Sequence, residues 1–267
     1  MCGKAIVLGM LVLVGLTRVT FASECPGHPD AIGTSRNLVI DPREHPQIGS
    51  MQYSDTLPLA DHEVVLSFDD GPLSPYTNRV LDTLASQCAK ATFFIIGRMA
   101  NGAPHLVQRA YDEGHSVGSH TQNHPLHLSR LPADAELKEI DDGIASVTAA
   151  LGDGRSIAPF FRFPGLVHPA VAEAHLASQG IMVWSADVVA DDWKKISPQE
   201  VVRRALARLA RKGRGVLLLH DMQKRTALAL PVLLRALNAQ GFHIVHVVPV
   251  SADAPASAAA HGPDATK

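Results

Sequence analysis

Between residues 63 and 248 short apolar runs recur at intervals that each leave room for about one helix, and no other feature restricts the fold as much. The runs are VVLSF (64–68), ATFFII (91–96), HSVG (115–118), FFRF (160–163), IMVW (181–184), GVLLL (215–219) and FHIVHV (242–247). The segments between them carry helical signals. TNRVLDTLASQC places Val80, Leu81, Leu84 and Cys88 on one helical face. Residues 134–151 start from Asp134 as an N-cap, and 198–212 open on Ser197 and Pro198. Gly114, Gly180, Gly213 and Gly241 stand just before strands, where helix C-caps belong. Near-continuous apolar strands alternating with helices predict a parallel α/β fold buried on both faces. Seven such units are best used in a distorted (β/α) barrel of about seven parallel strands, with an open doubly wound sheet as the alternative.

The ends of the chain read differently. Lys4 precedes the apolar run AIVLGMLVLVGL, and Thr20-Phe21-Ala22 offers small residues at a cleavage site, so residues 1–22 read as a signal peptide. The run is short for a membrane span of roughly 20 apolar residues, so no stable membrane insertion is expected after cleavage, and an uncleaved anchor is the alternative. Export to the periplasm or the medium follows from the first reading. Residues 23–62 are rich in turn formers and read as an irregular arm, 63–250 as the main domain, and 251–267 as a disordered Ala/Pro/Ser tail. After cleavage Cys25 and Cys88 would remain, either as a disulfide or as a flexible thiol and a buried one. A formal net charge of −2 gives no electrostatic case for nucleic acid.

Active sites of parallel β/α folds collect at the C-terminal ends of the strands. There the chain places Asp69 and Asp70 after the first main strand, His120 and His124 after the third, Arg162 at the end of the fourth, Asp187 and Asp192 after the fifth and His220 after the sixth. His120 and His124 lie four apart, so one helical turn would aim both rings the same way. With one carboxylate they make a two-His, one-carboxylate set with open positions, a pattern used by catalytic zinc and by iron. Such a metal makes water acidic enough to yield hydroxide near neutral pH, and a nearby carboxylate paired with Arg162 can take the proton. A histidine such as His220 suits protonation of a leaving amine.

LSFDDGP, SHTQNHP, FRFPG, WSADVVADDW and GVLLLHD, in that order, resemble the five motifs of polysaccharide deacetylases with the NodB-homology domain (carbohydrate esterase family 4). The resemblance implies a distorted barrel and removal of N-acetyl, or sometimes O-acetyl, groups from polysaccharides with a divalent metal, usually zinc. It implies Asp69 as general base, Asp70, His120 and His124 as metal ligands, Arg162 as the tether of Asp69, His220 as general acid and Asp192 as the carboxylate orienting it. A backbone N–H near Gly165, beside Pro164, would meet the oxyanion, and Trp193 would contact the sugar. Two departures bear on recognition. Gly165 stands where the family often has an aromatic, and the Asp187-to-Asp192 spacing is two residues longer than usual, leaving open which of the two orients His220.

Other features read more plainly. Trp184 lies within a strand and is expected in the core, Tyr53 and Tyr76 in surface or turn packing, and Asp191 as a solvated neighbour of Asp192. The arginines of RRALARLARKGR (203–214) read as the solvated side of an amphipathic helix. The expected function is N-deacetylation of an amino-sugar glycan, whether chitin-like, peptidoglycan or exopolysaccharide. O-acetyl esterase activity or non-catalytic glycan binding are the alternatives.

Overall fold

Along Glu63–Asp69 (β3) the side chains alternate between two apolar surroundings, and that parity organises the molecule. Val64, Leu66 and Phe68 point outward into a cluster beneath the helices, whereas Val65 joins an inner cluster. The inner cluster draws Phe94, Phe160, Trp184, Val216 and Val245 from strands all across the sheet, which requires the sheet to curl around them. The computed structural model describes residues 25–250, so the signal-peptide and tail readings fall on residues outside it.

The chain opens with Thr34–Ile40 (β1) and Gln47–Ile48 (β2), followed by β3 and Tyr76–Ser86 (α1). Thr92–Ile95 (β4), Gly97–Gly102 (α2), Pro104–Asp112 (α3), Ser116–Ser119 (β5), Ala133–Leu151 (α4), Phe160–Phe161 (β6) and Ala170–Ser178 (α5) come next. Met182–Trp184 (β7), Val188–Val189 (β8), Pro198–Lys212 (α6), Gly215–His220 (β9), Lys224–Ala239 (α7) and His243–Pro249 (β10) complete it. The sheet runs β1-β10-β3-β4-β5-β6-β7-β2, and β9 pairs with both β3 and β8. Every pairing is parallel. The parallel β/α architecture is as expected, in the form of a distorted barrel whose ladder stops at β2 on one side and β8 on the other.

The seven expected strands are present, and three more join them. Two of these lie in the stretch read as an irregular arm, which is a correction. β1 pairs with β10 over its length, and β2 pairs with β7. A Cys25–Cys88 disulfide, Cα–Cα 5.6 Å, ties the start of the arm to the end of α1. Helix α6 begins as expected, with Ser197 Oγ accepting from Glu200 N at 3.1 Å, and ends on left-handed Gly213. Helix α4 begins one residue before Asp134, which is therefore not its N-cap. Among the described residues, no helix is long and apolar enough to cross a membrane.

Candidate active site

The parity that sends Val65 inward also sends Ser67 and Asp69 inward, and β6 carries the same alternation from Phe160 to Arg162. These polar groups meet inside the upper end of the sheet. Arg162 is fully buried and donates from Nη1 to Asp69 Oδ1 at 2.7 Å and to Ser67 Oγ at 2.9 Å. Its other amine donates to the Ser185 carbonyl at 2.9 Å, and its guanidinium carbon stands 4.2 Å from the centre of the Phe94 ring. Burial pushes the Arg162 pKa down and the Asp69 charge opposes this. A buried cation of this kind persists only because its donors are used and its countercharge is adjacent.

Asp70 has a left-handed backbone, φ +77°, which turns its carboxylate away from that of Asp69. The following Gly71 is required by close approach. A Cβ there would lie 2.1 Å from a carboxylate oxygen of Asp221, itself buried and bonded by Thr77 Oγ1. Burial raises the Asp221 carboxyl to about 7, against the hydrogen bond from Thr77.

His120 and His124 are brought together by a loop rather than by the helical turn expected from their spacing. Thr121 and His124 both have positive φ, and Thr121 Oγ1 accepts from His124 N at 3.1 Å. The ring centres are 5.0 Å apart. The loop is seated on α4, where a Cβ on Gly143 would lie 2.4 Å from the Thr121 carbonyl carbon. His120 Nε2 lies 3.4 Å and His124 Nε2 3.1 Å from the same oxygen, Asp70 Oδ1.

His120 Nδ1 lies 2.6 Å from the Arg162 carbonyl, which can only accept, so Nδ1 carries the proton. In the neutral ring Nε2 is then a lone pair aimed at a carboxylate oxygen. Asp70 Oδ1 is buried with no hydrogen-bond partner. Lone pairs facing one another in a buried site are stable around a cation, and Asp70, His120 and His124 present ligand atoms all within 4.8 Å of one another. The residues fit a divalent metal. Burial pushes the Asp70 carboxyl up, and the adjacent histidines outweigh it, holding it far below the usual carboxylate range.

His220, at the end of β9, has a fixed orientation. Its Nδ1 lies 2.7 Å from Asp192 Oδ1, its backbone N–H donates to Asp192 Oδ2 at 2.7 Å, and Thr226 Oγ1 donates to the same oxygen. Burial pushes the His220 pKa down, but Asp192 outweighs it and, with Asp69 and Asp70, lifts it to about 9. The ring edge meets Trp193, which is 47% exposed. Between the two candidate aspartates, Asp192 is the one bonded to His220. Asp187 instead binds the arm, accepting from Ser50 N, Ser50 Oγ and Thr56 Oγ1, and also from Val216 N.

These groups share a cleft of about 520 Å³, with Asp69, Asp70, His120, His124 and His220 at its base. Its walls are Met51 and Gln52 from the arm, Leu126, Gly165, Leu166 and Trp193. Gly165 has φ +64° and borders Leu126, so an aliphatic side chain lies near the place of the missing aromatic. Pro164, beside it, is buried. Trp184 packs in the inner cluster, as expected. Sequence reasoning missed Ser67, Thr226, Asp221 and the two arm residues. The Asp221 of HD was visible as a motif neighbour, whereas nothing in the arm's composition pointed to the cleft. Asp191 is also corrected. It is buried and pairs at 2.7 Å with Arg204 and Arg208, so two of the supposedly solvated arginines hold the loop before Trp193.

A parallel β/α domain with a two-His, one-carboxylate donor set, a buried Asp–Arg pair and an Asp–His pair at its strand ends defines a class of hydrolases. Comparison with known proteins identifies it further. A family model described as polysaccharide deacetylase matches residues 57–184. A peptidoglycan-N-acetylglucosamine deacetylase of Bacillus cereus is 32% identical over 69% of this chain and 85% of its own length. The chain belongs to the polysaccharide deacetylase family with the NodB-homology domain, carbohydrate esterase family 4. The peptidoglycan-N-acetylglucosamine deacetylase PgdA of Listeria monocytogenes is 36% identical over 69% of this chain, which spans only 38% of that protein's length. The solved structure of a Bdellovibrio bacteriovorus peptidoglycan deacetylase superposes with a TM-score of 0.73 at 29% identity, covering 82% of this chain and 60% of the other.

Proposed function

We propose that this chain hydrolyses N-acetyl groups on N-acetylglucosamine-type residues of a cell-wall glycan, peptidoglycan before chitin-like or exopolysaccharide strands. The observation that carries the reading is the convergence of Asp70, His120 and His124 ligand atoms within 4.8 Å, flanked by Asp69–Arg162 on one side and His220–Asp192 on the other. A divalent metal held by Asp70, His120 and His124, zinc in the first instance, would supply Lewis acidity toward the acyl oxygen and acidify water.

The chain's own groups perform the proton transfers. Asp69 has Oδ1 engaged by Arg162, so Oδ2, which lies 4.0 Å from His120 Nε2, is the oxygen left to take a proton from the attacking water. The water oxygen bonds to the acyl carbon, and the backbone N–H near Gly165 meets the developing oxyanion. His220 Nε2 then gives its proton to the sugar nitrogen as the C–N bond breaks, releasing acetate and a free amine. The Asp192 carboxylate favours the protonated form of His220, which an amine leaving group requires. Trp193 and Leu126 offer apolar faces to the sugar ring. The Cys25–Cys88 bridge supports function in an oxidising compartment outside the cytosol, following the signal peptide read at residues 1–22.

The test is acetate and free-amine release from N-acetylglucosamine oligomers and from purified peptidoglycan, before and after chelation and with zinc restored. Release that chelation stops and zinc restores is expected. Metal retention with no release from either substrate would refute the deacetylase reading.

A further inference from the structure

Beside the cleft, behind its Met51–Val189 wall, lies a second depression of about 420 Å³ that the proposed chemistry does not use. Its cations come from one face of α6, namely Arg208, Arg211 and Lys212, and its one acidic lining residue is Asp187. That side chain is 1% exposed and already accepts from Ser50, Thr56 and Val216 N. Lys212 bonds Ser50 Oγ and lies 3.5 Å from Asp187 Oδ1, while Arg208 is held by the Val189 carbonyl and Asp191. Arg211 is exposed and makes no hydrogen bond or ion pair among the described residues. Lys212 is thus positioned by the network that fixes the arm and Arg208 by the loop at Asp191, while the charge of Arg211 is left over.

We infer that this shelf is a subsite for a carboxylate carried by the glycan strand, with Arg211 as its principal ligand and Lys212 in support. The inference rests on the deacetylase reading and adds to it the charge of the substrate. Two features select a group on the strand itself over an unattached anion. The shelf shares Met51 and Val189 with the cleft, so a sugar adjoining the one at the metal ligands would carry its substituent toward α6. A guanidinium fork also suits planar, two-oxygen recognition of a carboxylate. In a wall glycan freed of its stem peptide the acid is the lactyl carboxylate of the alternate sugar.

The experiment measures kcat/KM for acetate release from three probes of equal length at low and high salt. They are an N-acetylglucosamine oligomer, a peptide-free strand alternating N-acetylglucosamine with N-acetylmuramic acid, and that strand with its carboxylates converted to amides. The unaltered chain is expected to prefer the acidic strand to its amide by about fivefold at low salt, and to lose the preference as salt rises. Arg211→Glu should abolish the preference through KM, leaving the kcat ratio unchanged, and Arg211→Lys should restore part of it. Equal turnover of the acidic and amidated strands by the unaltered chain, or a preference that survives Arg211→Glu, overturns the subsite. Absence of release from all three probes instead refutes the deacetylase reading, so the two failures are distinguishable.

Discussion

Strand β5 is four residues long and has a histidine at each end, and the two histidines have opposite chemistry. His120, at the C-terminal end, has one ring nitrogen fixed by the Arg162 carbonyl and the other aimed at Asp70 and Asp69. His115, at the N-terminal end, packs on Phe93 with its Nε2 buried and without a hydrogen bond, and burial pushes its pKa down, outweighing the Glu113 carboxylate 3.8 Å away. Its neighbour His246 follows the same pattern. Ser116 Oγ donates to the Val247 carbonyl and accepts from His246 Nε2 at 3.0 Å, and burial lowers the His246 pKa to about 4. At one end of the sheet several carboxylates surround the histidines; at the other, burial outweighs the single carboxylate of Glu113 and favours neutral rings. Residue type alone therefore says little about a histidine. The balance between burial and neighbouring carboxylates at its end of the sheet decides the role.

The contrast can be broken most severely at Asp69. Asp69→Asn should lower kcat about a thousandfold or more with metal content retained, whereas His124→Ala should lose metal on dialysis; acetate release and metal analysis separate the two. Full activity in both variants would end the assignment of roles. A smaller effect is expected at Asp192, which raises the His220 pKa. The protonated acid is present below about pH 9 and lost as pH rises through it. Asp192→Asn removes the main raising influence, so kcat should fall about a hundredfold and the basic limb of the kcat/KM profile should move toward the ordinary value near 6.5. An unmoved limb would mean that another group titrates there. The smallest effect belongs to the opposite end. His246 is favoured neutral in the fold, so its contribution is full above pH about 6.5 and declines as pH falls toward 4. Urea unfolding should show a loss of about 1–2 kcal/mol between pH 7 and pH 5 that His246→Gln removes.

Much of this was readable from the residues. Strand-length apolar runs located seven strands, and the polar residues ending them located the site, because parity and chain direction carry such residues to one rim. Strand β1 was not readable, since TSRNLVI is a mixed, half-exposed sequence without a buried face. Strands β2 and β8 are two residues long and have no periodicity to detect. The loop that joins His120 to His124 depends on left-handed Thr121 and His124, residues that composition gives no reason to place there. The choice between Asp187 and Asp192 required knowing that Ser50 and Thr56 lie next to the former, a contact spanning more than 130 residues.

The pairing of β1 with β10 has a consequence for assembly. Ser35 Oγ donates to the carbonyl of Ile244, 209 residues away. The first strand of the described domain therefore waits for the last before its ladder can form, and closing so long a loop opposes early pairing. The Cys25–Cys88 bridge and the bonds from Gly33 N to Gln87 and Thr34 N to Cys88 act locally, docking the start of β1 beside α1 beforehand. Final closure then brings β10 to a strand already parked in position, so removing the bridge should slow refolding more than it disturbs the finished cleft.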